Sequence, residues 1–266
     1  MAGTLPLGRA LAYIGGGLRR RSAFIFVMAA LAAGVISEGV RPATWRRTIT
    51  AAFRRELRNA TAGALPTVII TAALVGLALG AEGFYWLRAA GEPQLIGTVL
   101  VIVLVRELAP LLIGIIVLGR SGTVAVVELA DMQRGGQVRA LAAQGLDPFR
   151  ILVLPRAVAF AVATFTLGVV FVAVATTTGY ALAWLSGTAQ VSFPAFLDRL
   201  LAAMQWRDFA VFPAKLLLMG LLVALVACVT GMDASQSDDA ASLLPRGFLR
   251  GITAVLLCSL LLSLLV

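Results

Sequence analysis

Apolar residues run almost unbroken through most of this chain, neither alternating as in a half-buried strand nor confined to one helical face. Five such runs occur, at about residues 64–88, 95–119, 151–186, 209–231 and 247–266. Each reaches the roughly 20 residues that a helix rising about 1.5 Å per residue needs to cross a hydrocarbon core of about 30 Å. Lipid offers the backbone no hydrogen-bond partner, so a span must be a helix or part of a closed barrel, and uninterrupted runs exclude the alternating barrel pattern. The third run is too long for one straight span, which predicts tilt or protrusion beyond the bilayer.

The polar interruptions predict shorter elements between these spans. In 43–58, Trp45, Ile49, Phe53 and Leu57 recur every four positions while Arg47, Arg54 and Arg58 take other faces, the pattern of an amphipathic helix on a membrane surface. Residues 22–40 follow three arginines and read as a retained segment lying in or dipping into the bilayer. A short helix is expected over 136–144, stopped by Gly145, Asp147 and Pro148. Another is expected in 191–207, where Phe193, Phe196, Leu197, Leu200, Leu201 and Met204 have helical spacing. The division that follows is a basic N-terminal region, 1–62, with interfacial helices, and a five-span domain, 63–266.

Composition agrees with a membrane bundle: 60% of the 266 residues are hydrophobic, 13% are charged, and mean hydropathy is +0.97. The net charge of +9 is concentrated early, with ten arginines between Arg9 and Arg58. That placement fits a cytoplasmic segment facing anionic lipid and not a nucleic-acid surface. With the N-terminus inside, 120–150 is cytoplasmic, carrying Arg120, Arg134, Arg139 and Arg150, and 187–208 is external, where Arg199 and Arg207 are balanced by Asp198 and Asp208. There is no histidine, and Cys228 and Cys258 lie singly in apolar runs as small hydrophobes, so no metal centre or cofactor is expected.

The chemistry concentrates in a few intramembrane charges. Arg106 and Glu107 fall near the middle of the second run, and a charge at bilayer depth costs ~2.5–3.5 kcal/mol, so both must face protein or a polar cavity. Neighbouring helix positions diverge by about 100°, so each needs a partner elsewhere. Pro110 cannot bond the carbonyl four residues back, leaving the Arg106 carbonyl as a free acceptor beside a kink. Lys215, the sole lysine, lies two residues after Pro213 in the fourth run. These three residues read either as interhelical polar glue or as the lining of a site for a lipid headgroup. No G-x-x-x-x-G-K-[ST] occurs, so any ATP chemistry belongs to another chain and this one is a non-catalytic subunit.

The run LVRELAPLLIGIIVLGRSGTVAVVELADMQRGGQVRALAAQGLDPFRILVLPR, Leu104 to Arg156, carries linked motifs: RELxP, GRxG, the acidic Glu128, ALxxxGxDPxR and LVxPR. It resembles the MlaE/YrbE family of ABC permeases that serve MCE-protein lipid transport. The resemblance implies an interfacial N-terminal helix, five spans and a bacterial inner-membrane location. It further implies two permease chains as a homodimer or a pair, a cytoplasmic P-loop ATPase dimer and a periplasmic MCE-domain protein. Arg106, Glu107 and Lys215 would line a phospholipid site, and Gln137, Val138, Arg139 and Leu141 would belong to a helix that couples to the ATPase, with Val138 and Leu141 exposed for it. Other readings are an ion-coupled carrier titrating Glu107 and a non-transporting scaffold.

Overall fold

The computed structural model describes residues 26–89, 91, 95–187, 191–235 and 238–264. The expectations for residues 1–25 lie outside the described residues. The fold is all-α, with no strand among the described residues. Eight helices are named here: α1 (Phe26–Gly39), α2 (Arg47–Ala89), α3 (Thr98–Arg134), α4 (Gln137–Ala143), α5 (Phe149–Leu185), α6 (Phe193–Ala203), α7 (Trp206–Met232) and α8 (Ala240–Leu264). The five long apolar helices α2, α3, α5, α7 and α8 can each cross a membrane by length and composition.

Two sequence boundaries move. The amphipathic segment and the first span are one continuous helix that runs on through Gly63 and Pro66, and the division at 62/63 falls inside α2. The second span likewise does not stop at 119: α3 continues through Gly119 and Gly122 to Arg134 by widening into π-helical turns at Val101–Leu108 and Leu118–Gly122. A π turn absorbs an extra residue without breaking the helix, which glycine and proline signals alone do not reveal. The long third run is a single 37-residue helix, starting with a π turn at Phe149–Val153.

Helix α7 forms the middle of the bundle, packed by α5, α8 and the lower half of α3, while α2 lies along α5. Small residues make the α2/α5 contact. A Cβ placed on Gly76 would lie 2.2 Å from the Ala175 carbonyl oxygen, and one on Gly80 would lie 2.6 Å from that of Gly179. Lipid supplies no hydrophobic drive between helices, so this close backbone approach is what holds them. At one end of the bundle α6 packs its Phe196 and Leu200 on Leu100 and Val101, and Trp86, Trp184 and Trp206 stand exposed as an aromatic belt. At the other end α4 joins α3 to α5 between two left-handed glycines, Gly136 (φ 72°) and Gly145 (φ 75°). Helix α1 is tied to that end through Glu38, which accepts from Thr44 at 3.0 Å and pairs with Arg150 at 3.2 Å.

Candidate functional site in the membrane span

Pro110 organises the site. It has no N–H to offer the Arg106 carbonyl four residues back, and Val101–Leu108 just before it adopt the π form. That carbonyl accepts from Lys215 Nζ of α7 at 2.7 Å. The same ammonium lies 3.3 Å from Glu107 Oε2 and donates to Ser263 Oγ of α8 at 2.9 Å. Ser263 in turn donates to Glu107 Oε1 at 2.8 Å. Three helices are therefore joined around one buried lysine whose side chain is 3% exposed.

Arg106 points to a different partner, Asp208 on the first turn of α7. Nη2 donates to Oδ2 at 3.0 Å, and Nε lies 2.7 Å from Oδ1, although its N–H is not aimed at that oxygen. One aligned hydrogen bond plus one ionic contact results. Asp208 also accepts from the Gln205 backbone N–H at 2.8 Å, closing a capping box at the start of α7. The sequence placed Asp208 among the external loop charges. The structure instead buries it at 1% side-chain exposure as the counter-ion of Arg106, and its spacing after the helix start, with Gln205 as cap, was the available signal. Ser263, in a plain apolar run, had none.

The site brings Arg106, Glu107 and Lys215 together with Asp208, and the four formal charges cancel. Arg106 is about 12 Å along α3 and Lys215 about 14 Å along α7 from the α6 end, counting helical rise. Because α3 is longer than the apolar run, the network lies in the half of the bundle nearest the tryptophan belt. Exposure is uneven. Arg106 keeps 28% and Glu107 48% of its side chain uncovered, whereas Lys215 has committed its ammonium to three oxygen partners.

The residues assigned to coupling sit at the opposite end. On α4, Gln137 and Arg139 are exposed. Val138 and Leu141, expected to be exposed, are half-buried and line a groove with Met132 and Leu152. The groove is bounded by α4 on one side and by Met132 of α3 and Leu152 of α5 on the other.

Five helices long and apolar enough to cross a membrane, three of them joined by a neutral ionic network, define a multi-pass membrane protein. A family model described as Permease MlaE matches residues 53–265, and the chain belongs to that family. Among curated relatives, the probable ABC transporter permease of Rickettsia typhi is 29% identical over 63% of this chain and 64% of its own length. The chloroplastic protein Trigalactosyldiacylglycerol 1 of Arabidopsis thaliana is 26% identical over 71% of this chain and 52% of its own. The intermembrane phospholipid transport system permease protein MlaE of Haemophilus influenzae is 25% identical over 40% of this chain and 41% of its own. The chain thus matches less than two thirds of the length of these relatives.

Proposed function

We propose that this chain is the permease subunit of an ABC transporter that moves phospholipid between a bacterial inner membrane and a periplasmic MCE-domain protein. The observation that carries this reading is the open edge formed by Arg106 and Glu107 at membrane depth, on a helix reshaped by Pro110. A lipid-facing charge pair of this kind is too costly to leave uncovered, so it faces a cavity shared with a second permease copy. Arg106 meets the lipid phosphate with charge-assisted hydrogen bonds, which a dry site strengthens. Glu107 beside it suits a headgroup amine. Lys215, with its donors spent, acts by holding Glu107 and the Arg106 carbonyl in place.

The arginine-rich end carrying α4 is cytoplasmic under this proposal, and the α6 end faces the periplasm and the MCE protein. A separate P-loop ATPase dimer docks on α4, where Gln137 and Arg139 make the outward contact and Val138 and Leu141 line the groove beside it. The family and the ABC permease names of the relatives support this assembly. The test is lipid copurifying per assembled complex. Arg106→Lys keeps the charge but loses the planar fork, so lipid occupancy and transport should fall with assembly intact. Unchanged occupancy and transport in well-assembled Arg106→Lys and Arg106→Ala complexes refute the headgroup role, and losses that track expression alone return these residues to the status of interhelical glue.

A further inference from the structure

A second ionic cluster lies at the α4 end, about 33 Å along α3 from Arg106 by helical rise. Arg156 of α5, with only 3% of its side chain exposed, uses the single nitrogen Nη2 to meet two carboxylates: Glu56 of α2 at 3.0 Å, and Glu128 of α3 in a shorter contact. Its Nε and Nη1 are buried with no hydrogen-bond partner among the described residues. The two acids are not equivalent. Glu56 is 12% exposed and Glu128 is 44% exposed.

We propose that Arg156 is a positioning residue in which Glu56 is the permanent counter-ion and Glu128 a detachable latch, tying the segment that bears α4 to α2. The buried cation needs a buried anion at all times, and Glu56 supplies it. Glu128 is 44% exposed, so its carboxylate can be rehydrated when it leaves, and Glu56 keeps the buried guanidinium paired. The backbone is arranged for such a release. The lower part of α3 (Thr123–Arg134) and α4 are bounded by the π turns Leu118–Gly122 and Phe149–Val153, the places where a helix yields most readily. Glu128 sits on that bounded segment, whereas Arg156 follows the second π turn on rigid α5. While the latch is closed, a push on α4 reaches α5 and, through Glu56, α2. When it opens, that push still reaches α7, on which Val126, Leu129 and Ala130 of the segment pack, and is no longer passed to α5 and α2. The link to transport rests on the proposal that an ATPase acts on α4, but the latch itself does not.

Amide hydrogen exchange on the purified full chain tests the latch without any partner. In Glu128→Gln, exchange across residues 123–143 should rise about tenfold with α7 unchanged and with normal folding, because local opening is being measured. Glu56→Gln should instead lower the midpoint of thermal unfolding and loosen the bundle generally. An unchanged exchange pattern, or a Glu128→Gln chain that fails to fold, overturns the proposal. In the assembled transporter the same variant should keep ATP turnover and lose lipid transport by about the same factor. Equal retention of both overturns the positioning role. Absence of any ATPase in the wild-type assembly sinks the ABC reading and leaves the exchange result standing.

Discussion

Asp208 shows how much of a membrane site depends on one residue that a charge count assigns elsewhere. It neutralises Arg106, caps α7 and is nearly inaccessible, so its loss removes an ion pair and a helix cap together. Asp208→Asn should lower stability by about 1–3 kcal/mol, through an arginine left with a neutral acceptor. Thermal unfolding in detergent measures it. Ser263→Ala removes a hydroxyl that accepts from the Lys215 ammonium and donates to the Glu107 carboxylate while their direct contact remains, and should cost about 0.5–1.5 kcal/mol. Equal losses in the two variants would mean that Asp208 contributes no more than an ordinary hydrogen bond. That Arg106 and Glu107 need separate partners was legible from helical geometry, and the free carbonyl at Arg106 followed from Pro110. The identity of the partners was not, because Asp208 and Ser263 are 102 and 156 residues distant from the groups they meet.

Helix α2 and helix α5 depend on backbone approach at Gly76, Gly80 and Gly179. Gly80→Leu should separate them at a cost of about 1–3 kcal/mol by overpacking, seen as a lower unfolding midpoint and as weaker crosslinking between cysteines placed across the contact. A wild-type crosslinking yield in that variant would show that the crossing tolerates side chains there. The turn into α4 makes a different demand. Gly136 has φ 72° with open space around it, so Gly136→Ala is strained by about 1–2 kcal/mol through backbone conformation alone. The tether of α1 responds to acid. The hydrogen bond from Thr44 chiefly, and then the charge of Arg150, hold the Glu38 carboxyl below its ordinary 4.5. A depressed pKa means that the tether is complete above 4.5 and lost as pH falls through the lower folded value. The spin-label distance between α1 and α5 should hold constant from neutral pH down to that point and lengthen below it, and Glu38→Gln should show the long distance at neutral pH.

Orientation belongs to the whole molecule. With α4 in the cytoplasm and α6 outside, a cysteine at Gly136 should resist an impermeant thiol reagent in intact cells, and one at Ser192 should react. The native thiols do not interfere, since Cys228 and Cys258 are both buried. Labelling of the Gly136 position from outside would invert the proposed topology and place α4 where no ATPase can reach it. The same experiment reads the tryptophan belt, which the structure puts on the α6 side.

The chain's own order of residues determined its class, its number of spans and the charges that matter, because length and unbroken hydropathy are local properties and a charge inside an apolar run is conspicuous wherever it folds. The existence of α4 and α6 was legible for the same reason, through glycine stops and helical spacing. Only the tertiary structure decided that α2 begins well before its apolar run and that α3 runs on past its expected end, where a π turn lets the helix pass glycines that otherwise signal a stop. It alone set Val138 and Leu141 along a groove, paired Lys215 with Glu107, buried Asp208, and gathered Glu56, Glu128 and Arg156 from three helices. Those are long-range contacts, set by where helices cross rather than by any periodicity along the chain.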